Sequence, residues 1–466
     1  MAYRTISEIR EALHSGESAL FITENYLNRI KEHQHLNAFI EIFEEEAIRR
    51  AKEIDVKIQN GTAGKLAGCV VAIKDNLCYK GHKVSASSQI LDGFESLFTA
   101  TALQRLLDQD VIVIGRLNCD EFAMGSSNET SYYGSVKNNL DNTKVPGGSS
   151  GGSAVATSAG LCTFSLGSDT GGSIRQPASW TRTYGFKPSY GRISRYGLIA
   201  YASSFDQIGP FTNSLDDLEL VTYIMAGKDP FDSTSSSKNW DQPGNAKQRI
   251  AVITEYLNHP GLDAEVKTAL HSTIERLKTA GYTIEEYSFS LMEQLVPTYY
   301  VLSTAEASSN LSRFDGVHYG YRSTEAKGVQ ETYTKSRSEG FGKEVKRRIM
   351  AGTFVLSHGY YDAYYAKAQQ VRRLIKEKTK YILANCDAIL MPTTPGTAFA
   401  LNAISDPIQM YLQDIFTVHA NLSGNPALSM PWKNHSNGLP FGLQLMADDF
   451  KDGFLLELAK KLEKEL

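Results

Sequence analysis

The chain opens on a helical pattern. Ile6, Ile9 and Leu13 recur at three- and four-residue spacing behind Thr5-Ile6-Ser7-Glu8. Thr5 and Glu8 fit a capping box, the threonine taking an amide of the first turn and the glutamate reaching back. Phe43, Ala47, Ile48, Ala51, Ile54 and Ile58 predict a second helix, ended by Asn60-Gly61. Residues 1–62 are therefore expected to form an N-terminal helical layer, with 63–466 as one continuous globular unit.

From residue 66 the pattern changes. Residues 66–73 (LAGCVVAI), 111–114, 161–166, 249–254 and 388–391 are short, mainly apolar runs. A strand covered on both faces reads this way, because neither face needs polar side chains. Helical periodicity over 268–280 and 366–383 separates the later runs. Strands alternating with helices predict an α/β sheet covered on both sides. Residues 233–248 are Ser-rich and poor in apolar residues, and read as an exposed loop rather than a domain boundary.

Composition removes several function classes. A chain of 466 residues suggests two domains by length alone, although large single-core α/β enzymes also reach this size. The net charge of −4, without a long Lys/Arg run, gives no general attraction to nucleic acid, so any RNA would be gripped by another chain. Cys69, Cys78, Cys119, Cys162 and Cys386 are widely spaced with no C-x-x-C, which fits reduced thiols and argues against zinc. The segment 1–5 runs straight into a helix, and acidic Glu8 and Glu11 follow at once, unlike a transit peptide. No run approaches the roughly 18 apolar residues of a spanning helix. A cytoplasmic protein with no membrane contact is expected.

The chemistry is concentrated in residues 146–177. Gly147-Gly148-Ser149-Ser150-Gly151-Gly152-Ser153 is followed by small residues suited to a closely packed helix, then by an apolar run, then by Gly167-Ser168-Asp169-Thr170-Gly171-Gly172-Ser173. Glycine lets the backbone turn sharply and approach a ligand closely, so successive amides can converge on one point. The tetrahedral oxyanion formed from an amide carbonyl needs such donors, each worth about 3–4 kcal/mol of barrier. The amides of Thr170, Gly171, Gly172 and Ser173 are the candidates, and the Ser173 hydroxyl, at the end of that loop, is the candidate nucleophile. Its base is Lys74, at the end of an apolar strand, where desolvation raises the neutral fraction of the amine.

Blander readings fit less well. A flexible linker would not flank an ordered apolar segment inside a globular chain. A phosphate loop would need the G-K-[ST] lysine. Gly148-x-Ser150-x-Gly152 matches a nucleophile elbow in form, yet the preceding residues 140–146 are too polar for the strand that motif requires.

Lys74-Asp75-Asn76 and the two Gly/Ser loops, with Ile174-Arg175 after the second, together resemble the amidase signature family, from residue 66 onward with most force. The resemblance implies a large mixed β-sheet with helices on both faces and a triad in which Ser173 attacks, Ser149 follows a cis peptide bond and relays the proton, and Lys74 accepts it. Residues 115–129, 184–192, 305–316 and 342–350 are most similar to the A subunits of glutamyl-tRNA(Gln)/aspartyl-tRNA(Asn) amidotransferases. That likeness implies a glutaminase. Arg348 would fork onto the α-carboxylate of glutamine and Asp414 would meet its ammonium, with Tyr299 and Met124 as further pocket residues. It also implies subunits B and C as partners and a misacylated tRNA bound mainly through them. ATP and Mg²⁺ would be used by the partner, with no metal or cofactor in this chain.

Two positions depart from the usual pattern of such relatives: Trp180-Thr181-Arg182, just past the nucleophile, and His419, where proline is common. A stand-alone amide hydrolase of the same family and a catalytically silent scaffold are the rival expectations. The scaffold would be marked by loss of Lys74, Ser149 or Ser173, and all three are present.

Overall fold

The computed structural model describes residues 3–241 and 246–465. Its frame is one eleven-stranded sheet in the order β1-β3-β2-β4-β6-β5-β10-β11-β9-β7-β8. The strands are β1 Phe39–Ile42, β2 Val70–Lys74, β3 Ile112–Leu117, β4 Phe164–Asp169, β5 Tyr184–Lys187, β6 Gln207–Thr212, β7 Arg249–Ile253, β8 Thr283–Tyr287, β9 Ala388–Pro392, β10 Ala427–Asn434 and β11 Pro440–Met446. β2 pairs in parallel with β3 and β4, and β7 with β8 and β9, while antiparallel strands join the two parallel groups. The sheet is mixed, as the resemblance implied.

Both faces are buried, and alternation along single strands shows how. Ala251 and Ile253 of β7 enter one core with Ile389 and Met391 of β9. The intervening Ile250, Val252, Ala388 and Leu390 enter another. Helices Met292–Asn310 and Lys367–Asn385 close the first side; Ala264–Thr279 and Asp452–Glu463 close the second. Apolar side chains facing both ways are why these strands lack a polar alternation.

The start of the chain is richer than the pattern suggests. Helix Ile6–His14 carries the capping box at Thr5 and Glu8, and helix Glu44–Gln59 ends at Asn60 as expected. Between them lies helix Ala19–Glu32, which buries Ile22, Tyr26, Leu27 and Ile30. β1 then adds to the sheet antiparallel to β3, so the N-terminal segment contributes a strand as well as helices.

Two strand starts differ from expectation. Residues 66–69 form a turn before β2, with the Cys69 amide donating to the Leu66 carbonyl at 3.0 Å and Gly68 at φ +79°. β4 begins at Phe164 because Leu161 still closes the preceding helical turn onto Ala156. β4 therefore carries Gly167, Ser168 and Asp169, which the sequence placed in a loop. Residues 140–146 form no strand, which removes the nucleophile-elbow alternative. Of the polar stretch 233–248, residues 242–245 lie outside the described set. Ser235 within the stretch is buried, and the Lys238 and Asn239 carbonyls accept from Arg192, so part of this loop is pinned to the body.

Candidate active site

The parallel order β3-β2-β4 sets the site. It places Lys74, the last residue of β2, beside the C-terminal end of β4 and the loop that follows it. Helix Gly151–Ser158 packs so closely on this region that a Cβ on Gly152 would collide with the Asn118 backbone. Small residues are needed there for contact, not for flexibility.

Lys74 is fully buried. Its Nζ donates to Ser149 Oγ at 2.7 Å, Ser150 Oγ at 2.9 Å and Ser168 Oγ at 3.0 Å. Burial pushes the ammonium down to about 8, against an opposing pull from Asp120, Asp169 and Asp206. Three hydroxyls and no carboxylate within hydrogen-bonding reach suit an amine that must shed its proton. Ser150 and Ser168 were not anticipated; Ser168 also accepts from Asn76 Nδ2 at 2.9 Å, so Asn76 fixes one of the lysine's partners.

The peptide bond between Gly148 and Ser149 is cis. The Ser149 carbonyl accepts from the Asp120 amide, and the Ser150 amide donates to the Ser173 carbonyl at 3.2 Å, so the two Gly/Ser loops are joined by backbone. The Ser173 hydroxyl bonds to no described residue, and 8% of the residue remains accessible.

Four amides were candidates for the oxyanion cup, and one is corrected. The Gly172 amide donates to Asp169 Oδ1 at 2.9 Å and so points into the loop. Those of Thr170, Gly171 and Ser173 have no partner among the described residues. Asp169 is the organiser. Burial alone would raise its carboxyl, but Arg175 and Asn421 outweigh that and hold it at about 2. Arg175 also donates to the Thr417 carbonyl and to Gln444 Oε1. Gly172 sits at φ +133°, where a Cβ would strike Thr417, and Thr417 Oγ1 donates to the Gly171 carbonyl at 2.7 Å.

Arg348 and Asp414 are both buried. Arg348 lies in helix Lys343–Leu356. Its Nε donates to Glu344 at 2.9 Å and its Nη1 to Tyr201 at 2.8 Å, leaving Nη2 without a described partner. Asp414 Oδ2 accepts from Ser126 at 2.8 Å and Tyr300 at 3.1 Å, leaving Oδ1 likewise without one. Burial lifts the Asp414 carboxyl to about 7, while Ser126, Tyr300 and Arg348 pull the other way. The Tyr300 ring lies 5.2 Å from the Arg348 guanidinium and 4.0 Å from the Tyr411 ring. Tyr299, the sequence candidate, touches the other end instead: a Cβ on Gly171 would collide with its ring. Met124 is fully buried in the same apolar cluster as Tyr299.

The two departures have structural outcomes. Trp180 is buried against Val145, Ala398 and Leu439, and its Nε1 donates to the Gly396 carbonyl at 2.9 Å, away from the Lys74 cluster. Arg182 ends the helix at φ +57°, a conformation that favours glycine. His419 is buried between Tyr256 and Thr379.

Residues 21–456 match the family described as Amidase. The glutamyl-tRNA(Gln) amidotransferase A subunit of Chlorobium limicola is 48% identical over 450 residues, covering 94% of each chain. The protein of the same description from Pseudomonas aeruginosa is 47% identical over 99% of this chain and 96% of its own. Among solved structures, the glutamyl-tRNA(Gln) amidotransferase A subunit of Thermotoga maritima superposes with a TM-score of 0.82 at 38% identity, over 99% of this chain and 94% of that one. A shared fold over nearly the full length and a lysine–serine cluster where the motifs placed it lead to one statement. The chain belongs to the amidase signature family.

Proposed function

We propose that this chain is the glutaminase subunit of a tRNA-dependent amidotransferase. The observation that carries the reading is the buried Lys74 amine 2.7 Å from Ser149, on the loop whose neighbour presents the open hydroxyl of Ser173. Glutamine binds with its α-carboxylate on Arg348 and its ammonium on Asp414, which directs the side-chain amide toward the Gly/Ser loops. Ser173 Oγ attacks the amide carbon as its proton passes through Ser149 to neutral Lys74. The oxyanion is held by the free amides of Thr170, Gly171 and Ser173. The proton returns along the same path to the amide nitrogen, the C–N bond breaks and ammonia leaves. Water then enters, loses a proton to the same relay and cleaves the γ-glutamyl ester, giving glutamate and free Ser173.

The likeness to A subunits of glutamyl-tRNA(Gln) amidotransferases supports a destination for the ammonia. In this reading it passes to a partner protein that activates the glutamyl or aspartyl group of a misacylated tRNA with ATP and Mg²⁺. The metal and nucleotide would be held by that partner rather than by this chain, and a small third protein completes a heterotrimer. Among the described residues no helix is long and apolar enough to cross a membrane.

The test is glutamine hydrolysis by the co-purified complex, with and without charged tRNA. Ser173→Ala should abolish turnover and the covalent glutamyl adduct. Arg348→Ala should raise KM for glutamine steeply. Unchanged glutamine turnover in Arg348→Ala would point instead to a general amide hydrolase.

A further inference from the structure

The segment that follows β3 touches both halves of the site through adjacent residues. The Asp120 amide donates to the carbonyl of Ser149 at 3.1 Å. Glu121, next in the chain, is buried and turns the other way, and both of its carboxylate oxygens accept from the Gly342 amide, at 3.0 and 2.9 Å. Gly342 is the N-cap of helix Lys343–Leu356 and has no side chain with which to cap it. Glu121 instead accepts from the N-cap residue's own amide, from outside the helix, and so sets its carboxyl, which burial lifts to about 7, at the positive end of the helix dipole. The fit is close: a Cβ on Gly342 would meet Glu121 Oε2 and force that carboxyl to shift away from the amide. The backbone of Gly342, at φ −69°, is one any residue adopts, so close approach alone calls for glycine here.

The position is anchored on its other sides. Ser88 donates its hydroxyl to Glu121 Oε1, and the Phe122 ring packs against Phe314 and Phe341. Further along the same segment Ser126 holds Asp414. One short stretch therefore meets the relay serine, the Asp414 carboxylate and the N-cap of the Arg348 helix.

We infer that Glu121 is a positioning residue for glutamine: by capping the helix at Gly342 it sets the reach of Arg348 toward the α-carboxylate, relative to the serine loops. It touches no substrate. The inference rests on the assignment of Arg348 to that carboxylate.

The test compares two substrates on the intact complex: glutamine, and glutaminamide, whose α-carboxylate is blocked as an amide. Glu121→Ala is expected to raise KM for glutamine about tenfold, with kcat within about twofold and glutaminamide hydrolysis nearly unchanged. Gly342→Ala approaches the same contact from the other side and should produce the same glutamine-selective rise. Glu121→Gln, which keeps an acceptor oxygen, should restore most of the affinity. Equal losses on both substrates, or an unchanged glutamine KM in Glu121→Ala, would overturn the inference. Arg348→Ala serves as the reference: if it too leaves the glutamine KM unchanged, the carboxylate assignment itself has failed. If only the Glu121 and Gly342 variants are silent, the positioning role alone is wrong.

Discussion

Tyr300 donates its hydroxyl to Asp414 across 3.1 Å while its ring lies 5.2 Å from the guanidinium of Arg348. A single side chain thus touches both charges proposed to grip the two ends of glutamine. Its neighbour Tyr299 packs on Gly171 in the oxyanion loop. Consecutive tyrosines on one helix therefore connect the grip on the substrate with the place where the amide reacts.

This arrangement makes substrate affinity depend on pH. Burial lifts the Asp414 carboxyl to about 7, and an ammonium partner needs the charged form. KM for glutamine should therefore fall as pH rises through about 7. Asp414→Asn should remove that dependence and raise KM by roughly 10- to 100-fold, the value of a hydrogen bond to a charged group. Tyr300→Phe deletes a donor that favours the carboxylate, so it should move the inflection to higher pH. Steady-state kinetics from pH 6 to 9 check all three, and a flat wild-type KM would refute the account.

Turnover should titrate with Lys74. Burial disfavours its ammonium and brings it down to about 8, and only the neutral amine accepts the proton. The chemical step should therefore accelerate as pH rises through about 8 and then level off. Lys74→Arg keeps a permanent charge and should lose on the order of 10²- to 10⁴-fold in kcat. Single-turnover acylation of Ser173 reads this directly; an arginine variant with a wild-type profile would exclude Lys74 as the base.

The Gly172 position should tolerate no side chain. At φ +133° a Cβ strikes Thr417, whose hydroxyl fixes the Gly171 carbonyl. Gly172→Ala should cost on the order of 10²-fold in kcat by displacing the amides of Gly171 and Ser173. Circular dichroism should report a retained fold. Near-normal turnover would show that the cup is built elsewhere.

His419 should leave its mark on stability instead. Thr379 donates its hydroxyl to the Ile375 carbonyl, so it accepts from His419 Nε2, and Nδ1 accepts from Tyr256. Burial holds this neutral ring down to about 3. The unfolded chain takes up a proton near pH 6.5 and the folded one does not, so stability is lost as pH falls from about 6.5 toward 3. The slope contributed approaches ~1.4 kcal/mol per pH unit. Comparing denaturant unfolding of wild type and His419→Gln at several pH values isolates it: the variant should lose about one proton's worth of slope, and parallel curves would contradict the assignment.

Residue types and local patterns in the sequence were enough to mark a covered α/β sheet, a lysine closing an apolar strand, and two Gly/Ser loops suited to a nucleophile and its oxyanion cup. These are local properties: apolar runs report burial on both faces, and glycine reports close approach wherever it lies. Helix Ala19–Glu32 escaped although Ile22, Tyr26, Leu27 and Ile30 recur at helical spacing; β1 is only four residues long, and polar, glycine or proline residues interrupt the apolar pattern of β5, β6, β8, β10 and β11.

Only the tertiary structure decided which groups meet. The strand order brings Ser168 and Ser150 to the Lys74 amine. Asp169 takes the Gly172 amide out of the cup. Tyr300 links Arg348 to Asp414, and Glu121 caps the helix that carries Arg348. Apart from the local Asp169–Gly172 turn, each of these contacts joins separate elements of the chain. Their geometry depends on how sheet and helices pack, a long-range property that no window of sequence contains.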